Sequence, residues 1–429
     1  MAEHVLRCIE CGKTYLPKQM RCLCEDCTIE IIDGIYVCNG LLEVCYRASN
    51  NHRIAKSGGF GNGENSIWKY TELLPVNDKS NIVTLGEGGT PLLKADRLAK
   101  YLGLKELYIK NETLNPSGAF KDRETSVVIS MAKEHDEKNL SVASTGTAAA
   151  SLAMYAAKAG LNAFVFVPKS TSDEKLAQIM YFGANVIVVD GVYEEALKLQ
   201  IEASGYMKWI NCSAAINPYR IEGDKTIAFE ICEQMDWNVP DWVIIPTGGG
   251  GNLSGEFKGF DEFFKIGLIK KLPHLAAVQT SAGASLAEAF IKRKQHPEVV
   301  ETKPTVATSI LSKYADYGNL ALGSLYKTNG EAIITTDKEI LQAQRILAQT
   351  EGIFAESSSA ASVAGLKQLI NTGKIKSDEK VVCVITGTGL RDINTISKYS
   401  RTRVIKPNLK DFLQMYKDMA QQKTTDNND

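Results

Sequence analysis

Asn115-Pro116-Ser117-Gly118-Ala119-Phe120-Lys121-Asp122-Arg123 places a lysine where a turn gives way to a helix. Asn-Pro-Ser-Gly is turn chemistry, and the residues that follow keep a helical pattern through Ser130 and Ala132. An amine at such a junction sits beside the positive end of the helix dipole and exposed backbone amides, which draw anions. That suits a lysine that must attack an aldehyde and then carry protons. Read alone the segment is weak, because most lysines at helix starts are solvated.

Three further segments ask for complementary chemistry. Gly248-Gly249-Gly250-Gly251-Asn252 follows the apolar run Trp242–Ile245 and precedes a helical stretch. Four glycines let the backbone curl so that several N–H groups point at one phosphate, and the next helix adds its dipole. The run is neither a dinucleotide fingerprint nor a P-loop, since the Gly-x-Gly-x-x-Gly register with a later acid and the Gly-Lys-Ser/Thr ending are both missing. Ser144-Thr145-Gly146-Thr147 opens a helix of small residues, where hydroxyls and amides could hold a carboxylate or simply cap the helix. Thr386-Gly387-Thr388-Gly389 closes the run Val381–Ile385, and a threonine there could face a heteroaromatic nitrogen or just stand in a turn. Together the four segments call for a phosphate, a carboxylate, an aldehyde-accepting amine and a ring partner. The histidines share no metal-binding spacing, and no Gly-x-Ser-x-Gly elbow occurs.

The cysteines suggest a separate device. Cys8, Cys11, Cys22, Cys24, Cys27, Cys38 and Cys45 crowd the start of the chain, with C-x-x-C knuckles at Cys8/Cys11 and Cys24/Cys27. Two such knuckles could form an all-sulfur tetrahedral zinc site that folds a segment too small for its own core. Cys22 or Cys38 could equally complete the set, and a ribbon of free thiols without metal is the plain alternative. Any zinc here would be structural.

The elements that must position these residues alternate. Strands are expected at Leu140–Ala143, Ala163–Val167, Asn185–Val189, Trp242–Pro246, Leu275–Gln279 and Lys380–Thr386. Helices are expected at Thr147–Ala159, Asp173–Phe182, Glu194–Ala203, Glu222–Gln234, Lys338–Gln349 and Ser358–Asn371. Continuous apolar strands between helices predict an α/β fold with parallel sheets covered on both faces. Asn50–Asn65 reads as a linker or surface loop, and Gln421–Asp429 as a frayed end. A chain of 429 residues exceeds what one core usually holds. Its 49 basic against 50 acidic residues give a net charge of -1, so no global field argues for nucleic acid. No apolar run is long enough to span a bilayer, and the first residues lack the apolar core of an export signal, so a cytoplasmic protein is expected.

The combination resembles the fold-type II pyridoxal-phosphate enzymes, the tryptophan synthase beta-like superfamily, and in detail the threonine synthases. The blocks that carry the resemblance run from Ser66 to Asp392. They are Thr84-Leu85-Gly86-Glu87-Gly88-Gly89-Thr90-Pro91-Leu92, the Asn115–Arg123 segment, Ser144-Thr145-Gly146, the glycine loop, Ser358-Ser359-Ala360-Ala361 and Thr386–Asp392. Asn217-Pro218-Tyr219-Arg220-Ile221-Glu222-Gly223-Asp224-Lys225-Thr226 is the most specific of them.

The resemblance implies a large domain (49–137 and 214–429), a small mobile domain (138–213) and a cysteine-rich ribbon (1–48). It implies that Lys121 holds pyridoxal 5'-phosphate, that Gly248, Gly249, Gly250, Gly251 and Asn252 bind its phosphate, and that Thr386 faces its ring nitrogen. Thr147 stands where the family usually has Asn or Asp contacting the ring oxygen. Ser117, Ser144, Thr145, Gly146 and Arg220 would bind substrate; Arg220 suits a phosphate, which a guanidinium can hold through two parallel hydrogen bonds. The implied reaction turns O-phospho-L-homoserine and water into L-threonine and phosphate, within a homodimer if the chain associates. The alternative is β-replacement or β-elimination on a hydroxy- or phospho-amino acid, suggested by Thr147 and by Leu311 where the family often has arginine.

Overall fold

The computed structural model describes residues 4–27, 29–32, 35–46, 60, 65–171, 173–213, 216–397 and 404–425. Apart from Phe60 and Asn65, the linker expected over Asn50–Asn65 lies outside them. The cysteine-rich start is antiparallel: β1 (His4–Cys8) lies between β2 (Thr14–Tyr15) and β5 (Leu42–Tyr46), beside a hairpin of β3 (Ile29–Ile32) and β4 (Ile35–Cys38). Strand alternation turns Leu6, Cys8, Leu42 and Val44 inward, where they join one apolar core with Trp68, Val127 and Met131.

The chain then makes β6 (Leu92–Lys94), α1 (Asp96–Leu102), β7 (Glu106–Asn111) and α2 (Lys121–Glu134). Next come β8 (Asn139–Ala143), α3 (Thr147–Ala159), β9 (Asn162–Pro168), α4 (Asp173–Tyr181), β10 (Asn185–Val189), α5 (Tyr193–Met207) and β11 (Ile210–Asn211). These strands form a wholly parallel sheet in the order β10-β9-β8-β11. The chain returns through α6 (Tyr219–Gln234), β12 (Trp242–Pro246), α7 (Gly251–Lys265), β13 (His274–Thr280), α8 (Ser285–Ile291) and α9 (Gly318–Lys327). It ends this unit with β14 (Glu331–Thr335), α10 (Asp337–Glu351), α11 (Ser357–Asn371) and β15 (Lys380–Ile385).

The second sheet runs β14-β13-β12-β15-β7-β6, parallel throughout except for the edge strand β6, which is antiparallel to β7. Every residue of β12 is buried, as a central strand covered on both faces must be. The six strands and six helices expected from the sequence are all present, with ends moved by a few residues. Residues 391–429 form a separate unit containing α12 (Ile393–Ser397) and α13 (Leu409–Thr425). Of the end expected to fray, 421–425 are instead helical, continuing the Phe412, Leu413, Tyr416 spacing, and 426–429 lie outside the described residues. No helix among the described residues is long and apolar enough to cross a membrane.

Helix α6 is held between α2 and α7 at backbone contact. A Cβ added at Gly223 would lie 2.2 Å from the Arg123 carbonyl oxygen, and one at Gly259 would lie 2.4 Å from that of Lys225. Gly223→Ala must therefore push α2 and α6 apart, and a loss of about 2 kcal/mol or more is expected from such overpacking. Gly205→Ala, whose added Cβ meets nothing within 4 Å in α5, should be neutral or slightly stabilising. Denaturant unfolding of both variants checks this, and equal stability of the two would refute it.

Candidate active site

Lys121 owes its position to two anchors on the turn before it. Gly118 takes the left-handed conformation (φ +81), and a Cβ there would lie 2.6 Å from Thr388 Cγ2. Thr388 N–H donates to the Gly118 carbonyl at 2.9 Å, and Phe120 N–H donates to the Thr386 carbonyl at 3.0 Å. The lysine turn is thus stitched to the end of β15, which brings Lys121 and Thr386 together. Asp122 supplies the second anchor: one oxygen accepts from Ser117 N–H at 2.6 Å and the other from the Ser151 hydroxyl at 2.6 Å. Since Ser151 is on α3, the helix opened by Ser144–Gly146 is tied to the residue beside the lysine. Burial pushes the Asp122 carboxyl upward against the hydrogen bonds from Ser151 and Ser117.

One turn along α2 lies Glu124, and its two oxygens serve two cations. Lys121 Nζ donates to Oε1 at 2.7 Å, and the Arg220 guanidinium donates to Oε2. Arg220 also donates to the Cys212 carbonyl at 2.7 Å, so its head is fixed from two sides. The Lys121 side chain is 23% exposed while those of Glu124 and Arg220 are 3% and 6% exposed. The amine alone of the three therefore opens substantially to solvent. Burial raises the Glu124 carboxyl, but Arg220 and Lys121 outweigh this and hold it below the usual range. Asp224, one turn beyond Arg220 on α6, faces Glu124; burial first, then that negative neighbour, push its carboxyl well above the ordinary value.

The glycine loop lies between β12 and α7. Gly250 has φ +95, and a Cβ there would come within 3.0 Å of Ala321 Cβ and 3.2 Å of the Tyr317 carbonyl oxygen. Gln279 Nε2 donates to the Gly248 carbonyl at 3.0 Å and Tyr317 N–H to that of Gly249 at 2.8 Å. The loop's carbonyls are thus turned toward protein donors. No side chain caps the start of α7, and Asn252 lies in its first turn, so the helix amides remain for an anion. This backbone fits the phosphate of pyridoxal phosphate. Thr386 Oγ1 lies 2.8 Å from Ser359 Oγ, which also accepts from Gly387 N–H at 2.7 Å, so the threonine hydroxyl is held by α11. Ser144 folds back to accept from Gly146 N–H at 3.2 Å, and Thr147 begins α3, half-buried. Tyr317 joins two parts of the site, since its hydroxyl donates to the Asn217 carbonyl at 3.3 Å just before α6. Beside the loop, burial pushes the Asp316 carboxyl up to about 7.

The sequence reading singled out neither Glu124 nor Asp224, nor Asp122, Tyr317 and Asp316. The signal for the first two was present as charged residues spaced three (Lys121, Glu124) and four (Arg220, Asp224) apart along helices, but such spacing usually marks a solvated face.

At the other end of the chain, Cys8, Cys11, Cys24 and Cys27 converge, with all four Sγ atoms within 4.8 Å of one another. The Cys8–Cys27 and Cys11–Cys24 sulfurs are 3.7 Å apart. A tetrahedron with Zn–S bonds of about 2.3 Å has S–S edges of about 3.8 Å, so the four thiols fit zinc. The two rivals lie elsewhere: Cys22 donates to the Asn211 carbonyl at 3.7 Å, and Cys38 packs among Leu41, Ile216, Ile221 and Tyr317.

Residues 83–387 match the family model described as pyridoxal-phosphate dependent enzyme. The threonine synthase of Methanocaldococcus jannaschii is 43% identical over 387 residues, covering 90% of this chain and 92% of that one. The threonine synthase of Methanosarcina acetivorans is 39% identical over 392 residues, covering 91% and 93%. Among solved structures, a fungal L-serine ammonia-lyase from Rhizomucor miehei superposes with a TM-score of 0.62 at 23% identity, covering 72% of this chain and 96% of that one. The processed form of threonine deaminase isoform 2 from Solanum lycopersicum gives 0.62 at 22% identity, covering 72% and 84%. These two likenesses establish the fold, α/β of fold type II; the cysteine-rich strands come before it in the chain. With its lysine turn, glycine loop and Asn-Pro-Tyr-Arg helix in one constellation, the chain belongs to the threonine synthase family of pyridoxal-phosphate-dependent enzymes.

Proposed function

We propose that this chain converts O-phospho-L-homoserine and water into L-threonine and phosphate. The observation that carries the reading is that an amine, Lys121, and a guanidinium, Arg220, meet on the single carboxylate of Glu124. This puts an anion anchor one side chain away from the amine. The bound cofactor supplies a sink for the electron pair left on carbon when a proton departs. The protein does the rest. Lys121 would hold the cofactor, and its Nζ would move protons at the substrate's Cα and Cβ. Ser144, Thr145 and the Gly146 amide orient the carboxylate, Ser117 lines the lysine turn, and Arg220 takes the phosphate that leaves from Cγ. Gly248–Gly251 and Asn252 hold the cofactor phosphate. Thr147 would contact its ring oxygen and Thr386 its ring nitrogen; a hydroxyl, unlike a carboxylate, need not keep that nitrogen protonated. The segment 138–213 acts as a small domain that closes on the substrate and keeps bulk water out until water adds at Cβ.

Purified enzyme given O-phospho-L-homoserine should release threonine and phosphate one for one, and borohydride should fix the cofactor on the peptide containing Lys121. Release of pyruvate, 2-oxobutyrate or a sulfur amino acid, or a label elsewhere, would overturn the reading. Arg220→Ala should raise KM for the phosphorylated substrate by roughly tenfold or more, in line with loss of a charge-assisted contact. Steady-state kinetics would contradict the assignment if KM stayed at the wild-type value.

The four N-terminal thiols are proposed to hold one structural zinc, with Cys8, Cys11, Cys24 and Cys27 as ligands. Tyr15, whose hydroxyl lies 3.0 Å from Cys24 Sγ, would steady one of them. Metal analysis of reduced protein should find one zinc per chain. Cys11→Ser should lose it and lower Tm while leaving cofactor absorbance in place. Protein that carries no zinc and takes none up when reduced would exclude the site.

A further inference from the structure

Glu124 gives the arrangement a property that two separate cation sites would lack. Its carboxylate neutralises Arg220, the residue assigned to the substrate phosphate, before any substrate is there. A phosphate dianion reaching Arg220 must either sit beside this buried carboxylate or displace it, and like charges at contact in such a place are costly. Protonation of the carboxylate removes the conflict. Asp224 stands directly behind as a second carboxyl on which a proton can rest, and it too is buried. Among the described residues, the other charged or titratable groups around this cluster are Lys121 from α2, the Tyr317 hydroxyl from the segment before α9 with Asp316 beside it, and Tyr193 and Cys212 around Arg220.

We propose that Glu124 is an internal competitor for the substrate's phosphate at Arg220, a positioning residue whose displacement is accompanied by uptake of one proton onto the Glu124–Asp224 pair. The proton comes from solvent and forms an O–H bond on a carboxyl oxygen; no other bond changes. When phosphate has been cleaved, Glu124 recaptures Arg220, the proton returns to solvent, and the product is expelled. The inference rests on the assignment of Arg220 as phosphate anchor.

The test uses cofactor-loaded enzyme and inorganic sulfate, which stays dianionic across the range studied, so any proton taken up is not on the ligand, and the variants below locate it. Calorimetry in buffers of different ionisation enthalpy should show proton uptake on sulfate binding, with affinity falling as pH rises from about 6 to 8.5. Glu124→Gln should bind sulfate roughly tenfold more tightly at the upper end of that range and lose the pH dependence, as removal of a close like charge requires. Asp316→Asn, which removes a half-buried carboxyl beside the cofactor loop, should keep it. Arg220→Ala should abolish binding; if it binds sulfate like the wild type, the anchor assignment fails. If Arg220→Ala loses binding but Glu124→Gln binds no more tightly, or keeps the proton uptake, the competitor role alone is refuted. Should Glu124→Gln not load cofactor, wild-type sulfate binding without proton uptake refutes it equally.

Discussion

The Arg123 guanidinium, fully buried, is gripped by two carboxylates at once. Nε and Nη2 donate to the two oxygens of Glu112 at 2.7 and 2.8 Å, and Nη1 and Nη2 to those of Glu230 at 2.7 and 2.8 Å. Lys110, also fully buried, donates to Glu230 at 2.6 Å and balances the remaining charge. Burying four charges is expensive, and such a set persists only when every donor and acceptor is matched. Removing one partner from a buried pair of this kind costs about 3–5 kcal/mol. The geometry has a consequence two residues away. Glu112 also accepts from the Asn115 amide at 2.8 Å, so the turn before Lys121 and the first turn of α2 are fixed to the same carboxylate. The amine is aimed by an ion cluster it never touches.

Helix α6 distributes such constraints to three sides. Arg220 and Asp224, four residues apart, face Glu124 and the lysine. Thr226 and Glu230, again four apart, face Arg123. Glu222 and Lys225 face α7 and the ribbon: Lys225 donates to Glu222 at 2.6 Å, Lys258 on α7 donates to Glu222, and so does the Tyr46 hydroxyl at the end of β5. Burial opposes ionisation of Glu222, yet Lys225 and Lys258 prevail and bring its carboxyl down to about 2. Lys258 also donates to the Val44 carbonyl at 2.5 Å. The ribbon is thereby seated on the same helix that presents Arg220, which links its folding to the geometry of the active site. Glycines at 223, 255 and 259 let the helices approach closely enough for these short side-chain contacts to form.

The alternation of apolar strands with helices was legible in the sequence because its cause is local. A central parallel strand such as Trp242–Pro246 must be apolar on both faces, and α3 announces itself by its small residues after Ser144-Thr145-Gly146. Strand β7 was not legible: Glu106 and Lys110 interrupt its apolar pattern, and only Glu230, the Thr90 carbonyl and Gln234, all remote in sequence, make Lys110 acceptable in the core. The strands of the ribbon were too short to register as a period.

For the site, residue type and spacing alone determined the lysine turn, the glycine loop and the two cysteine knuckles, because each performs its task through local backbone geometry. Tertiary structure alone decided which thiols meet, since Cys22 and Cys38 are as near in sequence as the four that converge. It alone decided, too, that Glu124 stands between Lys121 and Arg220. A carboxylate's role is set by the charges within a few ångströms of it, and those on α6 come from almost a hundred residues away.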